Sequence, residues 1–233
     1  MKYSEQEIIR RQKSMTSARK KNLNRIRVGA VLIGIILMVT VILMMVAGVA
    51  GIARGLFDSA PDVNELDMMP EGYATEIYDA QGNQIQTLVG SDANRVYVEI
   101  SQIPECVRNA FVAIEDARFY EHHGVDMKGI FRAMYSGITE DEGLKQGAST
   151  ITQQLLKNQI FGGGNETSFV AKLTRKIQEQ YLAVQLENKL DKDQILEYYL
   201  NTINLGQNTL GVQAASRRYF NKDVSELDVS EAA

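Results

Sequence analysis

The longest apolar segment of the chain runs from Val28 to Ala53, twenty-six positions without a charged residue. At about 1.5 Å per helical residue this segment would reach roughly 39 Å, enough to cross a hydrocarbon core of about 30 Å with some tilt. The apolar regions of signal peptides are shorter, about 7–15 residues, and a helix buried in a soluble domain is rarely this long. The pattern therefore predicts an uncleaved transmembrane helix at 28–53.

The segment that follows, 54–72, has no clear periodicity and is predicted to be a stalk. Polar and apolar residues then alternate over 74–78 and 84–88, on either side of a turn-forming stretch that contains Gly82. This is the pattern of a β-hairpin. Residues 95–100 form a third extended run, so we predict a small β element close to the membrane.

After Pro104 the apolar residues recur with the spacing of an α-helix. Four apolar sets predict four helices: Val107, Phe111 and Ile114; Ile151, Leu155 and Leu156; Leu173, Ile177 and Val184; and Ile195, Leu196 and Tyr199. The run Gly162-Gly163-Gly164 is interpreted as a flexible loop, since it lacks the pattern of a phosphate-binding loop. The predicted fold class is therefore mainly α, with an N-terminal transmembrane helix, a small membrane-proximal β element and an α-helical domain.

Charge is distributed unevenly along the chain. Residues 1–27 carry nine Lys and Arg against two Glu, a net charge of +7, whereas residues 28–233 carry sixteen against twenty-seven acidic residues, a net charge of −11. Because positive residues beside a span stay on the cytoplasmic side, we predict a cytoplasmic tail at 1–27 and an external part after Arg54. The positive charge of the tail is explained by its role in setting the topology and by contact with anionic lipid. We therefore expect no nucleic-acid partner.

Composition excludes two other classes of protein. The chain is 45% hydrophobic and 23% charged, close to the average of globular proteins, which argues against a wholly disordered chain. Its single cysteine, Cys106, cannot form a disulfide within the chain, which argues against a disulfide scaffold.

The first candidate site lies at 115–124 and contains both histidines of the chain. If the preceding helix continues through it, one stripe holds Phe111, Glu115, Phe119 and His122. Glu115 would then lie beside apolar groups, which disfavour a charged carboxylate and suit a group that exchanges a proton near neutral pH. The alternative is an ordinary exposed Glu at a helix edge. Adjacent histidines on a helix do not converge, so we expect no paired-histidine metal site.

The second candidate site lies at 147–158. Ser149 and Thr150 precede an apolar-periodic run, which predicts a helix N-terminus at this point. The free N–H groups and partial positive charge of such a terminus favour an anionic ligand, and Lys157 follows one to two turns later. A capped helix without a ligand would have the same sequence.

The third candidate is a polar helix stripe made of Lys172, Arg175, Lys176 and Glu179. It lies opposite the predicted apolar face that contains Leu173. Such a stripe could be a cationic binding surface, and a solvated face with salt bridges would look the same.

Together these segments resemble the glycosyltransferase domain of class A penicillin-binding proteins and of monofunctional peptidoglycan glycosyltransferases. The first motif of that family corresponds to Glu115, Asp116, Phe119, His122 and Gly124, the second to Gly147 and Ser149 through Gln154, and the third to Arg175, Lys176 and Glu179. Two further motifs follow in order, at 192–201 and at 211–233. The resemblance covers about 73–233.

The resemblance implies a lysozyme-like α-helical domain that polymerises a lipid-linked disaccharide into glycan strands with inversion at the anomeric carbon. It makes Glu115 the general base and Glu179 the second catalytic carboxylate, which we expect to position cations or the diphosphate. The substrate-binding residues that it implies are Asp116, Phe119, His122, Gly124, Ser149, Thr150, Gln153, Gln154, Lys157, Arg175 and Lys176. The cofactor that the resemblance implies is a divalent cation, Mg²⁺ or Mn²⁺. We expect none of these residues to form a protein metal site.

The partners that the resemblance implies are a polyprenyl-diphosphate-linked disaccharide, the membrane, the growing peptidoglycan and a cell-wall synthesis complex.

The chain departs from the family pattern at two places. Where the family usually has an aromatic residue followed by glycine, this chain has Asn204-Leu205-Gly206-Gln207-Asn208, so the family's contacts with the acceptor do not carry over at this point. The chain also stops at Ala233 inside the last motif, so we expect an incomplete domain. The alternative functions are a lysozyme-like glycan-cleaving enzyme, and an inactive membrane-anchored scaffold of the cell wall.

Overall fold

A computed structural model of the chain describes residues 4–15, 18–73, 75–88, 95–139, 147–207 and 209–233. The chain divides into two compact units, one ending at Asp58 and the other beginning at Ser59. The α-helices of the described residues are α1 Glu5–Met15, α2 Ala18–Asp58, α3 Glu105–Glu115, α4 Met127–Thr139, α5 Ile151–Gln159, α6 Phe169–Glu187, α7 Lys192–Thr202, α8 Val212–Phe220 and α9 Val229–Ala232. The mainly α fold class is as predicted.

The first unit contains the predicted membrane span. Helix α2 is 41 residues long and includes the whole uncharged run. Among the described residues it is the one helix long and apolar enough to cross a membrane, over Asn22–Asp58, and the most apolar part of it is not buried against protein. A helix with an apolar surface all round fits a membrane-anchored protein.

The second unit opens with the predicted hairpin, which is confirmed. Strands β1 (Thr75–Tyr78) and β2 (Gln84–Leu88) are antiparallel, and Thr75 pairs with Leu88. Asp79 organises the turn, because its carboxylate accepts hydrogen bonds from the backbone N–H groups of Gln81 and Asn83. The third extended run is not a strand of this sheet, since it contributes one isolated bridge, between Arg95 and Tyr73.

The core of the second unit surrounds α5. This helix packs against α6 and α7, and its residues Ile151, Leu155 and Leu156 are completely buried. A 3-10 turn at Val224–Glu226 precedes α9, which begins at Val229. Helices α4 and α8 were not predicted; α8 buries small and polar side chains, which give little periodic signal.

The predicted stalk is divided between the two units. Its first residues belong to α2, whereas Val63 and Met68 are buried in the core of the second unit. Two side chains hold the backbone of this segment in place: Lys189 donates to the Val63 carbonyl, and Gln159 donates to the Met68 carbonyl. Residues 59–72 are therefore part of the folded domain, through contacts with residues about ninety or more positions away.

Helix α6 is rotated relative to the prediction. Its buried residues are Gln178, Glu179, Leu182, Ala183 and Leu186, which recur at helical spacing, whereas Leu173 and Val184 are exposed. The prediction of the apolar face was therefore wrong. The reason is that two polar side chains occupy core positions, which a count of apolar residues cannot detect.

Candidate active site

Glu115 is the last residue of α3 and is exposed. The helix ends there because Asp116 adopts φ −157° and ψ 73°, outside the helical region. Phe119 and His122 therefore do not continue the stripe that begins at Phe111. The expectation that Glu115 lies among apolar groups on one helix face was wrong. Instead it lines a cavity of about 430 Å³, together with residues of the segment 147–150.

Asp116 is buried and joins the first two motifs. Its carboxylate accepts from the backbone N–H of Ile151, at 3.1 Å, and lies 2.9 Å from Nε2 of His122. The anionic group at the N-terminus of α5 is therefore a side chain of the protein itself. The N-terminus of α5 is thus capped from within the chain, and the anionic ligand at 147–158 stays a prediction.

Three further residues of the first two motifs hold the turn after α3 against α5. The hydroxyl of Thr150 donates to the carbonyl of Gly124, at 2.7 Å, and Gln153 donates to the same carbonyl. Gly124 has φ +81°, and a Cβ there would lie 2.5 Å from the backbone of Ala183. Only glycine fits both the conformation and the space.

Phe119 is completely buried, and neither it nor His122 nor Gly124 lines the two cavities described in this subsection. Their predicted contact with substrate stays a prediction. His122 and Gly124 connect the turn after α3 to α5, through Asp116 and Thr150 respectively.

Gln154 links Glu115 to the core. Its amide Nε2 donates to Glu115 Oε2 at 2.9 Å, and its Oε1 accepts from the hydroxyl of Tyr199 at 3.3 Å. Burial and the nearby Glu115 carboxylate raise the pKa of Tyr199, so the hydroxyl stays protonated and available as a donor. Tyr199 was predicted as a core residue. The hydrogen bond of its hydroxyl was not predicted, because its partner Gln154 lies on another helix.

A second cavity, of about 250 Å³, is cationic. It is lined by Ser149, Gln153, Gln154, Lys157, Arg175 and Lys176. Lys176 donates to the hydroxyl of Ser149 at 2.8 Å. Within the described part of the chain, the Lys157 ammonium makes neither a hydrogen bond nor an ion pair, so its charge is available to a ligand.

Glu179 is completely buried, although it was predicted on a polar stripe. One carboxylate oxygen accepts from Arg175 Nη1, and the other accepts from Lys176 Nζ at 2.7 Å. A buried carboxylate is stable only when its charge is paired in this way. Glu179 therefore holds the two cations in position.

The two cavities are neighbours. Ser149 lines both, and Gln154 of the cationic cavity bonds to Glu115 of the larger one. The larger cavity also contains Arg118, whose Nη2 lies 2.5 Å from Asp126 Oδ2. This ion pair was not predicted, although both residues lie inside or just after the first motif, because nothing in their spacing shows that they meet.

The residues that the structure describes do not provide a metal-binding site. Among them no three His, Cys, Asp or Glu side chains are grouped to hold an ion. Both oxygens of Glu179 are occupied by cations, and His122 is directed at Asp116 while His123 is exposed. The described residues thus offer no cluster of protein ligands for Mg²⁺ or Mn²⁺, and the divalent cation stays a prediction.

Residues 81–233 match the family model described as "Transglycosylase". "Penicillin-binding protein 1A" of Clostridium botulinum is 41% identical over 204 residues, 85% of this chain and 24% of the relative. The protein of the same name from Clostridium tetani is 36% identical over 222 residues, 94% of this chain and 27% of the relative.

A third relative, "Penicillin-binding protein 1F" of Bacillus subtilis, is 46% identical over 160 residues, 69% of this chain and 21% of the relative. The chain thus spans about a quarter of the length of the curated relatives that it matches. The family model covers more than half of the chain, over the part that contains α3 to α9 and both cavities. The chain therefore belongs to the transglycosylase family that is found in penicillin-binding proteins.

Proposed function

We propose that this chain is a membrane-anchored peptidoglycan glycosyltransferase that extends glycan strands from a lipid-linked disaccharide. The observation that carries the proposal is the position of one exposed carboxylate, Glu115, beside a cationic cavity to which Gln154 connects it. A transfer from a diphosphate needs these two elements, a base for the incoming hydroxyl and positive charge for the leaving group.

In the proposed reaction, the growing glycan on its polyprenyl diphosphate is the donor and the next lipid-linked disaccharide is the acceptor. The acceptor 4-hydroxyl oxygen attacks the donor anomeric carbon, its proton passes to Glu115, and the bond from that carbon to the diphosphate oxygen breaks. A single displacement of this kind inverts the configuration at carbon. The diphosphate is a good leaving group, so it requires charge stabilisation rather than a proton donor.

Lys157 is the residue best placed to contact the diphosphate, because its charge has no partner in the described part of the chain. Lys176 lines the same cavity and is 40% exposed through its side chain, so it can serve as a second contact. Glu179 holds Lys176 and Arg175 in position. We assign it no direct part in proton transfer, because it is buried between the two cations.

Exposed apolar residues support a substrate with a lipid chain. Helix α4 exposes Met127, Phe131 and Tyr135, which are one turn apart, and α6 exposes Phe169 and Val170 near its beginning. Large exposed apolar side chains suit contact with a bilayer or with a polyprenyl chain. They favour a lipid-linked donor over a free sugar.

The orientation is also a proposal, and it rests on the net charge of +7 that precedes the span. We propose that the basic tail is cytoplasmic and that the second unit lies on the opposite side, with its substrates and growing peptidoglycan. A membrane-impermeant cysteine label should not react with cysteines introduced into the tail in intact membranes. Reaction there would reverse the orientation.

One experiment separates this function from its alternatives. Detergent-solubilised protein is incubated with lipid-linked disaccharide and, in a second sample, with preformed glycan strands, and the products are separated by size. A glycosyltransferase forms polymer from the first substrate and leaves the second unchanged. A glycan-cleaving enzyme shortens the strands instead, and an inactive scaffold changes neither substrate.

A further inference from the structure

The three-glycine loop between α5 and α6 is a hydrogen-bonded structure, although the sequence suggested a flexible segment. The N–H of Gly163 donates to the carbonyl of Lys157 at 3.0 Å, and that of Gly164 donates to the carbonyl of Phe161 at 3.1 Å. The side chain of Asn165 donates to the Gly162 carbonyl. The loop therefore closes the C-terminal end of α5 at Lys157, whose ammonium has no partner among the residues that the structure describes.

The same loop packs on Arg175. A Cβ at Gly164 would lie 3.1 Å from Cζ and Nη2 of that guanidinium, so the backbone of the loop covers the group closely. Glu166 accepts a hydrogen bond from Arg175 Nε at 2.9 Å, and Glu179 accepts from Nη1. The side chain of Arg175 is 13% exposed and is held by the loop and by two carboxylates.

Glu166 does not line the cationic cavity, whereas Arg175 does. Glu166 therefore contacts the guanidinium from outside the cavity. The backbone N–H of Glu166 and the Arg175 guanidinium keep the pKa of the Glu166 carboxyl below its ordinary value. It stays charged at neutral pH and remains a strong acceptor. An arginine fixed in this way loses little side-chain freedom when a ligand binds, which increases its contribution to binding.

We propose that the loop from Gly162 to Glu166 is a positioning element for the diphosphate, which fixes Lys157 through its carbonyl and Arg175 through its guanidinium. Gly164 and Glu166 are its positioning residues. The proposal rests on the proposed function, since it assumes that these two cations receive the diphosphate of a lipid-linked substrate.

Two glycine variants test the proposal as a matched pair. Gly163 and Gly164 have nearly the same φ, +80° and +81°, but a Cβ at Gly163 meets nothing within 4 Å. Gly163→Ala and Gly164→Ala thus each place an alanine at nearly the same positive φ, and only the second brings a Cβ against Arg175. In the full-length protein in detergent, we expect Gly164→Ala to raise the Kd of farnesyl diphosphate about three- to tenfold relative to Gly163→Ala, the effect of forcing one side chain off its rotamer.

The uncharged alcohol farnesol provides the control ligand, and its binding should be equal in the two variants. Equal Kd values for farnesyl diphosphate in the two variants would overturn the proposal, as would a loss of farnesol binding confined to Gly164→Ala. If the wild-type protein fails to bind farnesyl diphosphate, the proposed function fails first, so the two failures are distinguishable.

Glu166 offers a test without backbone strain, which remains valid if an alanine variant at a glycine does not fold. Glu166→Gln keeps an acceptor for Arg175 Nε, and Glu166→Ala removes it. We expect the Gln variant to bind farnesyl diphosphate within about twofold of wild type, and the Ala variant to bind about three- to tenfold more weakly. Glu65→Gln, at an exposed carboxylate that lines neither cavity, controls for net charge. Wild-type binding by Glu166→Ala would contradict the role of Glu166.

Discussion

Gln154 and Glu115 are joined by a hydrogen bond of 2.9 Å across thirty-nine positions of sequence, from the amide of one to the carboxylate of the other. Gln154 lies on α5 and lines the cationic cavity, whereas Glu115 ends α3 and lines the larger cavity. A single side chain therefore fixes the proposed base relative to the proposed leaving-group site. This arrangement leads to specific expectations for variants.

Removing the amide of Gln154 should impair turnover more than substrate binding. In Gln154→Ala, Glu115 loses its donor and its fixed orientation, and we expect kcat for polymerisation to fall about tenfold with little change in KM. Tyr199→Phe removes only the hydroxyl that orients Gln154 and should cost less, about two- to threefold. Gln180→Ala, at an exposed position on α6, serves as the control. A larger loss in Tyr199→Phe than in Gln154→Ala would contradict this order.

Lys157→Ala should weaken binding as well as turnover, because an ammonium that contacts the diphosphate in the ground state interacts with it more strongly as negative charge develops there in the transition state. We expect the Kd of farnesyl diphosphate to rise roughly ten- to a hundredfold, the range for losing a hydrogen bond to a charged group. The control is Lys128→Ala, at an exposed lysine of α4 that lines neither cavity. Unchanged binding in Lys157→Ala would remove this lysine from the site.

Lys192 should contribute to stability rather than to catalysis. Its ammonium lies 2.7 Å from Glu187, whose side chain is 3% exposed, and 4.4 Å from the centre of the Phe119 ring. Lys192→Met leaves Glu187 buried without its cation, so we expect the free energy of unfolding to fall by about 3 kcal/mol in chemical denaturation. The double variant with Glu187→Gln should recover part of this loss. No recovery would show that the ion pair is not the cause.

The free energy of unfolding should depend on pH through the carboxyl group of Asp126. Burial tends to raise the pKa of Asp126, but the Arg118 guanidinium and the N–H of Gly129 outweigh it and hold the pKa below its ordinary value of 3.8. A lowered carboxyl pKa contributes stability that is present above 3.8 and is lost as the pH falls through the lower folded-state value. Asp126→Asn should therefore be less stable than wild type near neutral pH, and the difference should shrink below that value. A difference independent of pH would contradict this assignment.

The local patterns of the sequence predicted much of this fold. The alternation on both sides of Gly82 and the apolar spacing near Ile151 each specify an element within a few residues. The uncharged run specifies a helix, but α2 begins at Ala18, ten residues before that run. The environments of charged residues were not predictable in this way. Whether Glu179 is buried depends on cations that pair with it, and whether α3 ends at Glu115 depends on Asp116, whose partner Ile151 lies thirty-five positions away.

The sequence motifs grouped residues that meet in the structure, but they did not show which of them line a cavity. Phe119 and His122 fall in the same motif as Glu115, yet Phe119 is completely buried and His122 contacts Asp116. Glu166 belongs to no motif, and only its contact with Arg175 distinguishes it from an ordinary surface residue. Motif spacing indicates which residues act together, whereas the three-dimensional contacts are needed to separate residues that line a cavity from residues that support them.

The measurement that tests the account most directly is polymerisation of lipid-linked disaccharide by Glu115→Gln. This variant keeps the size of the side chain but removes the proton acceptor, and the binding of farnesyl diphosphate serves as the check that the site is still formed. We expect turnover to fall by roughly 10²–10⁴ while farnesyl diphosphate binding changes little. Polymerisation within about tenfold of wild type, below the range expected for loss of a general base, would contradict the role assigned to Glu115.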